Sequence, residues 1–140
     1  MSRLGPQTGD ARIAVRTTTR RRRRIAGLMG LEALSLAVFS TLHFSGAIHG
    51  GSTNGSASDA AIPEAVICVV LAGGAVSLRS VRAAGRRAAI AATGFAILGF
   101  VVGLTSTLES GPAIDLAYHL TVLPLLVATL LAVLATPPDG

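Results

Sequence analysis

The sequence contains no tryptophan, no lysine and one cysteine among its 140 residues. A single cysteine excludes a disulfide within the chain and excludes the paired-cysteine motifs that hold structural zinc. Charged residues make up 14% of the chain, well below the roughly 25% of a typical soluble domain. A phosphate-binding glycine loop and a serine nucleophile elbow are also missing. The sequence therefore gives no indication of an enzyme.

Long apolar runs dominate what is present. Hydrophobic residues form 51% of the chain, and its mean hydropathy is +0.64. A membrane-spanning helix needs about 20 mainly apolar residues, and four segments meet this requirement: 25–48, 61–78, 88–108 and 113–135. A cleaved signal peptide is a poor interpretation of the first segment, because it is long and three further spans follow. We predict an all-α integral membrane protein whose domain, residues 25–136, is a four-transmembrane-helix bundle.

The arginines predict how the bundle is oriented. All 12 basic residues are Arg: eight precede Ile25, and four lie between the second and third spans. Because positive residues concentrate on the cytoplasmic side, both termini are predicted to be cytoplasmic. Residues 1–24 are predicted to be a disordered, Arg-rich cytoplasmic tail and residues 137–140 a short cytoplasmic tail. The absence of lysine suggests a GC-rich genome, and we expect a multi-pass protein of the bacterial inner (cytoplasmic) membrane.

The basic run before the first span has two interpretations. It comprises Arg20, Arg21, Arg22, Arg23 and Arg24, in a chain with an isoelectric point near 11.3. Such a run suits the phosphates of a nucleic acid. However, it abuts a membrane span and has no aromatic residues interleaved, which favours contact with anionic lipid headgroups. We expect the bilayer, and no nucleic acid, as the partner.

Glycines indicate where helices approach each other. The third span contains Gly94, Gly99 and Gly103, and small residues let helix backbones pack closely in lipid. The facing helix can belong to this chain, to a second copy or to another protein. We therefore expect a homo-oligomer or a larger membrane complex.

Three spans place a metal-binding type of side chain at one depth. His43 lies five residues, about 7.5 Å, inside the outer end of the first span. Glu64 and His119 lie at a similar depth in the second and fourth spans. Asp115 precedes His119 by four residues and Cys68 follows Glu64 by four, so each pair shares a helix face.

This layer predicts a metal site. His43, Glu64 and His119 are expected ligands, with Asp115 and Cys68 as orienting groups or extra ligands. Imidazole and carboxylate suit zinc, copper or iron, and haem is a less favoured alternative that needs two facing imidazoles. Alternatively, the carboxylates merely complement the dipoles at two helix starts and the layer holds only water.

Glu32 is a separate intramembrane carboxylate. It lies about 10 Å from the cytoplasmic end of the first span. Eleven residues, about 16 Å, separate it from His43 on the same helix face. This spacing permits a proton path, while the simpler alternative is a hydrogen bond to a serine, a threonine or the backbone.

Three functions are compatible with these features. The first is a small four-helix membrane protein whose inward His/carboxylate cluster, near the outer leaflet, binds a transition metal. The second is an accessory subunit or assembly factor of a larger membrane complex. The third is a small proton-coupled carrier that uses Glu32 and Glu64.

Overall fold

The computed structural model describes residues 8–48, 58–80 and 83–137, and the described part is all helical. The helices are α1 (Thr8–Phe44), α2 (Ser58–Arg79), α3 (Ala83–Ser110) and α4 (Ala113–Leu134). Each helix is long and apolar enough to cross a membrane. Each helix packs against its neighbours in sequence, and α4 returns to α1 along the least extensive seam. The predicted four-helix bundle is therefore found.

Helix α1 differs most from the prediction, because it begins at Thr8 instead of residue 25. Residues 8–24, predicted to be disordered, are helical. This segment contains Ala and many Arg, which favour helix, and it has no Pro and no Gly after Gly9. Residues 1–7 and 138–140 of the two predicted tails lie outside the described residues, as does the loop residue His49.

Gly46 ends α1 earlier than the predicted residue 48. Its φ of 73° lies in the left-handed region, which glycine adopts without steric cost. The Gly46 N–H donates to the His43 carbonyl over 3.0 Å, and the Ala47 N–H donates to the Leu42 carbonyl over 3.0 Å. This pair of bonds is a Schellman cap. The cap fixes the last turn of α1, which carries His43.

The other helices agree better with the sequence. Helix α3 begins at Ala83, five residues before the predicted start, and α2 begins three residues early. Helix α4 matches its prediction to within one residue. The residues before the two predicted starts, SDA at 58–60 and AAGRR at 83–87, lack large apolar side chains, so apolar run length does not reveal them.

Apolar residues fill the centre of the bundle and also cover its outside. Met29, Leu36, Leu71 and Leu126 are fully buried. Large hydrophobic side chains also point outward on every helix; examples are Leu31, Val69, Val76, Leu98, Val102 and Leu131. Soluble proteins rarely expose continuous apolar surfaces of this kind, whereas lipid accepts them.

Two of the three predicted packing glycines contact another helix. A Cβ at Gly103 would lie 2.7 Å from His119 Nε2, and one at Gly99 would meet the Ile67 side chain. A Cβ at Gly94 would meet no heavy atom of the described residues within 4 Å. Gly94 therefore does not pack within the described bundle, because it lies on the outer side of α3.

Arginines of α1 and α3 contact the end of α4. Arg21 donates to the Ala135 carbonyl over 3.1 Å, Arg22 donates to the Pro137 carbonyl over 3.2 Å, and Arg86 donates to the Leu134 carbonyl over 2.8 Å. Arg20, Arg23 and Arg24 are exposed. The basic run predicted to meet lipid headgroups therefore divides into residues that cap α4 and residues that face outward.

Candidate metal centre

His43 forms the centre of the polar layer. The last turn of α1 holds its side chain at 1% exposure. Its Nδ1 lies 2.8 Å from Glu64 Oε2 on α2. An ionised carboxylate only accepts, so with Glu64 ionised Nδ1 carries the proton of this bond, and Nε2 is then the nitrogen whose lone pair a ligand can use. Glu64 thereby sets which nitrogen of His43 is available to a ligand.

Asp115 approaches His43 from the opposite side. It lies in the first turn of α4 and is 4% exposed. Its Oδ2 accepts a hydrogen bond from Thr107 Oγ1 of α3 over 3.3 Å, and its Oδ1 lies 4.0 Å from His43 Nε2. All four helices therefore contribute to the layer.

Two buried atoms face each other across this gap without a hydrogen bond. Among the described atoms, neither His43 Nε2 nor Asp115 Oδ1 has a hydrogen-bond partner. Buried polar atoms in native proteins are almost always satisfied, and an unsatisfied one commonly marks a bound ion or water. The lone pairs of His43 Nε2 and Asp115 Oδ1 are thus available to one bound ion or water.

The structure groups the ligand-type residues differently from the sequence prediction. His43, Glu64 and Asp115 each offer a ligand atom, and these atoms all lie within 4.8 Å of one another. Asp115, predicted to orient His119, is part of this group, whereas the predicted ligand His119 lies beside it.

The backbone explains the position of His119. Its Nδ1 donates over 2.9 Å to the carbonyl of Asp115, one turn earlier on α4, and is 3.7 Å from Asp115 Oδ1. Its Nε2 faces Gly103 of α3. The four-residue spacing that predicted a shared face also places the ring against its own helix carbonyl, so the imidazole does not turn fully toward His43.

Cys68 does not join the group. Its Sγ donates to the Ala33 carbonyl of α1 over 3.1 Å. A thiol is a weak donor, and this bond ties the half-buried Cys68 to the neighbouring helix. The group of three ligand-type residues therefore offers nitrogen and oxygen only.

Glu32 lies in a second polar contact between α1 and α4. Its Oε1 accepts a hydrogen bond of 2.7 Å from Thr129 Oγ1. Ser35, one turn later, shares a 3.1 Å hydrogen bond with the Tyr118 hydroxyl, and the Tyr118 ring stacks on Phe39 at 3.6 Å between centroids. The expected threonine-type partner of Glu32 is found.

The sequence reasoning did not identify Thr107, Thr129 or Tyr118. A threonine in an apolar helix usually bonds to its own backbone, so its sequence position alone does not reveal a partner on another helix. The only available signal was the position of Tyr118, next to His119 on α4.

No protein-family model, curated protein or solved structure matches this chain. The geometry of the described residues is therefore what indicates a function.

Proposed function

We propose that this chain is an integral membrane protein that binds a divalent transition-metal ion through His43 and Asp115. Glu64 positions the imidazole, and His119 stands beside the site. The single observation that carries the proposal is the pair of buried, unpartnered atoms, His43 Nε2 and Asp115 Oδ1, which lie 4.0 Å apart.

The gap suits an ion in size and in chemistry. Zinc binds imidazole nitrogen at about 2.0–2.1 Å and carboxylate oxygen at about 2.0–2.2 Å, so one ion can contact both atoms. The Glu64–His43 bond resembles the carboxylate–histidine pairs that support metal ligands elsewhere. Glu64 belongs to the same group and offers one carboxylate oxygen to it.

The donor set narrows the choice of metal. Imidazole and carboxylate favour zinc, ferrous iron or divalent copper, while monovalent copper prefers sulfur. Haem is disfavoured because it needs open space between two imidazoles, whereas His119 lies against Gly103 and His43 is bonded to Glu64. We choose zinc as the probe.

The proposed topology places both termini in the cytoplasm and the metal site near the outer leaflet. It is supported by the arginines that gather around the end of α4, because arginine is enriched on the cytoplasmic side. A bacterial inner membrane remains our proposal for the location. A reporter that works only in the cytoplasm should be active when it is fused to either terminus. Activity at either terminus of a reporter that works only in the periplasm would contradict this orientation.

Elemental analysis of the purified protein tests the metal proposal. We expect about one transition-metal ion per chain in the wild type after dialysis against zinc, since one pair of unpartnered ligand atoms is present. Asp115→Asn keeps the shape and removes the charged ligand, so it should lose most of the metal. Glu109→Asn, which removes an exposed carboxylate, is the matched control. Metal-free wild type with intact helices would refute the proposal.

A second candidate function is that of an accessory subunit. Gly94 faces outward on α3 with open space around it, and Leu98, one turn later, is exposed. Such a face suits close packing against a helix of another chain, either a second copy or a larger complex. Extraction in a mild detergent should then co-purify the partner, and Gly94→Leu should release it.

A further inference from the structure

Glu32 is a buried carboxyl that the metal site does not use. It is 4% exposed in α1. Thr129 Oγ1 donates to one of its oxygens over 2.7 Å, while the other, Oε2, is buried and has no hydrogen-bond partner among the described atoms. An unsatisfied carboxylate oxygen inside an apolar bundle is costly. Oε2 therefore needs a ligand.

The titratable groups around Glu32 are few. On α2, Cys68 donates its thiol proton to the Ala33 carbonyl, beside Glu32. On α4, the Tyr118 hydroxyl is bonded to Ser35. Helix α3 has no titratable residue between Arg87 and Glu109, and none of these neighbours is a fixed cation.

The arginines lie farther along the bundle. Arg24 precedes Glu32 by eight residues, about 12 Å along α1. Arg86 of α3 bonds to the Leu134 carbonyl, which is five residues, about 7.5 Å, from Thr129 along α4. The ligand of Oε2 therefore has to come from outside the described side chains.

We propose that Glu32 is a reversible proton-binding site at the seam between α1 and α4. The proton comes from bulk water, forms an O–H bond at Oε2 and returns to water when the pH rises. Protonation removes the buried charge, and Oε1 still accepts the hydrogen bond from Thr129. The inference does not depend on the metal, because Glu32 lies eleven residues from His43.

The seam is suited to respond to this proton. It is the least extensive contact between neighbouring helices, and the Glu32–Thr129 and Ser35–Tyr118 hydrogen bonds cross it. An ionised Glu32 draws water into the seam, while a neutral one leaves it closed. A proton-coupled carrier needs one pair of helices that opens and closes with protonation in this way.

Labelling with an apolar carbodiimide tests the proposal on the whole protein in detergent. The reagent couples to protonated carboxyls, and peptide mass spectrometry identifies the labelled residue. We expect labelling of Glu32 that falls with rising pH along the curve of a single proton. Thr129→Val should retain more label at a given pH, because the ionised carboxyl loses a donor. The exposed carboxyl of Glu109 is the internal control for the activity of the reagent at each pH.

Infrared spectra detect protonation of Glu32 even where the reagent cannot reach it. All seven Asp and Glu residues gain a C=O stretch when they are protonated on acidification, so the Glu32 signal is the component of that band that wild type shows and Glu32→Gln lacks. A pH-independent extent of labelling would overturn the proposal. Absence of label together with identical infrared spectra for the two proteins would also overturn it. Zinc content measured on the same samples reports on the metal site separately.

Discussion

The His43 and Glu32 sites lie on one face of α1 but are built differently. His43, in the last turn of α1, has Glu64 on one side and Asp115 on the other. Glu32, eleven residues earlier, has one threonine partner. A layer with several converging donors can hold a multivalent cation, whereas a lone carboxyl with one hydroxyl can be satisfied by a proton. The number of partners, more than the depth, therefore separates the two sites.

Removing His43 should have the largest effect on stability. His43→Ala deletes a fully buried ring and leaves Glu64 without its hydrogen-bond donor, so we expect a loss of about 2–4 kcal/mol in the metal-free protein. Unfolding in mixed micelles would measure it. His119→Ala is the control with a smaller loss, because the one hydrogen bond of that ring among the described residues goes to its own helix. Equal losses would mean that the two imidazoles are equivalent.

Removing the charge of Glu64 should weaken metal binding. Glu64→Gln keeps the shape of the residue but supports the His43 tautomer less strongly, and we expect zinc affinity to fall about 10–100-fold. Competition with a chelating dye would measure this. Glu32→Gln should leave the affinity unchanged, and a similar fall in that variant would show that the two sites are not independent.

Filling the space beside His119 should disturb the polar layer around His43 and leave the Glu32 site unchanged. Gly103→Ala would place a methyl group 2.7 Å from His119 Nε2, with an expected cost of about 1–3 kcal/mol from overpacking. Gly94→Ala, on the same helix, enters open space and should cost nothing. Unfolding of the two variants in parallel gives the comparison, and equal stabilities would contradict the packing described here.

Removing the single partner of Glu32 should have the smallest effect. Thr129→Val preserves volume and deletes one hydroxyl, and interhelical hydrogen bonds in membrane proteins contribute about 0.6 kcal/mol on average. Unfolding in mixed micelles would detect the change. A loss as large as that of His43→Ala would mean that Glu32 is held as tightly as the His43 cluster.

Much of this architecture is predictable from the sequence. The lengths of the apolar runs identify four helices, and the positions of the arginines identify the end of the bundle at which they gather. The helical extension of α1 to Thr8 was not predicted, because Arg-rich helix and Arg-rich disorder have similar compositions. Counting residues along the helices predicts a common depth for His43, Glu64 and His119, with Asp115 one turn before His119. The grouping of His43 and Glu64 with Asp115 instead of His119 does not follow, because it depends on the rotation of α4 and on the bond from His119 to its own helix carbonyl.

Zinc titration of the purified protein shows most directly whether His43 and Asp115 hold a metal ion. We expect one tight site per chain in the wild type, its loss in His43→Gln, and its retention in His49→Gln, which removes an imidazole that is not part of the proposed site. Stoichiometric binding that survives His43→Gln, or folded wild type that binds no zinc, would contradict the assignment of the site to His43 and Asp115.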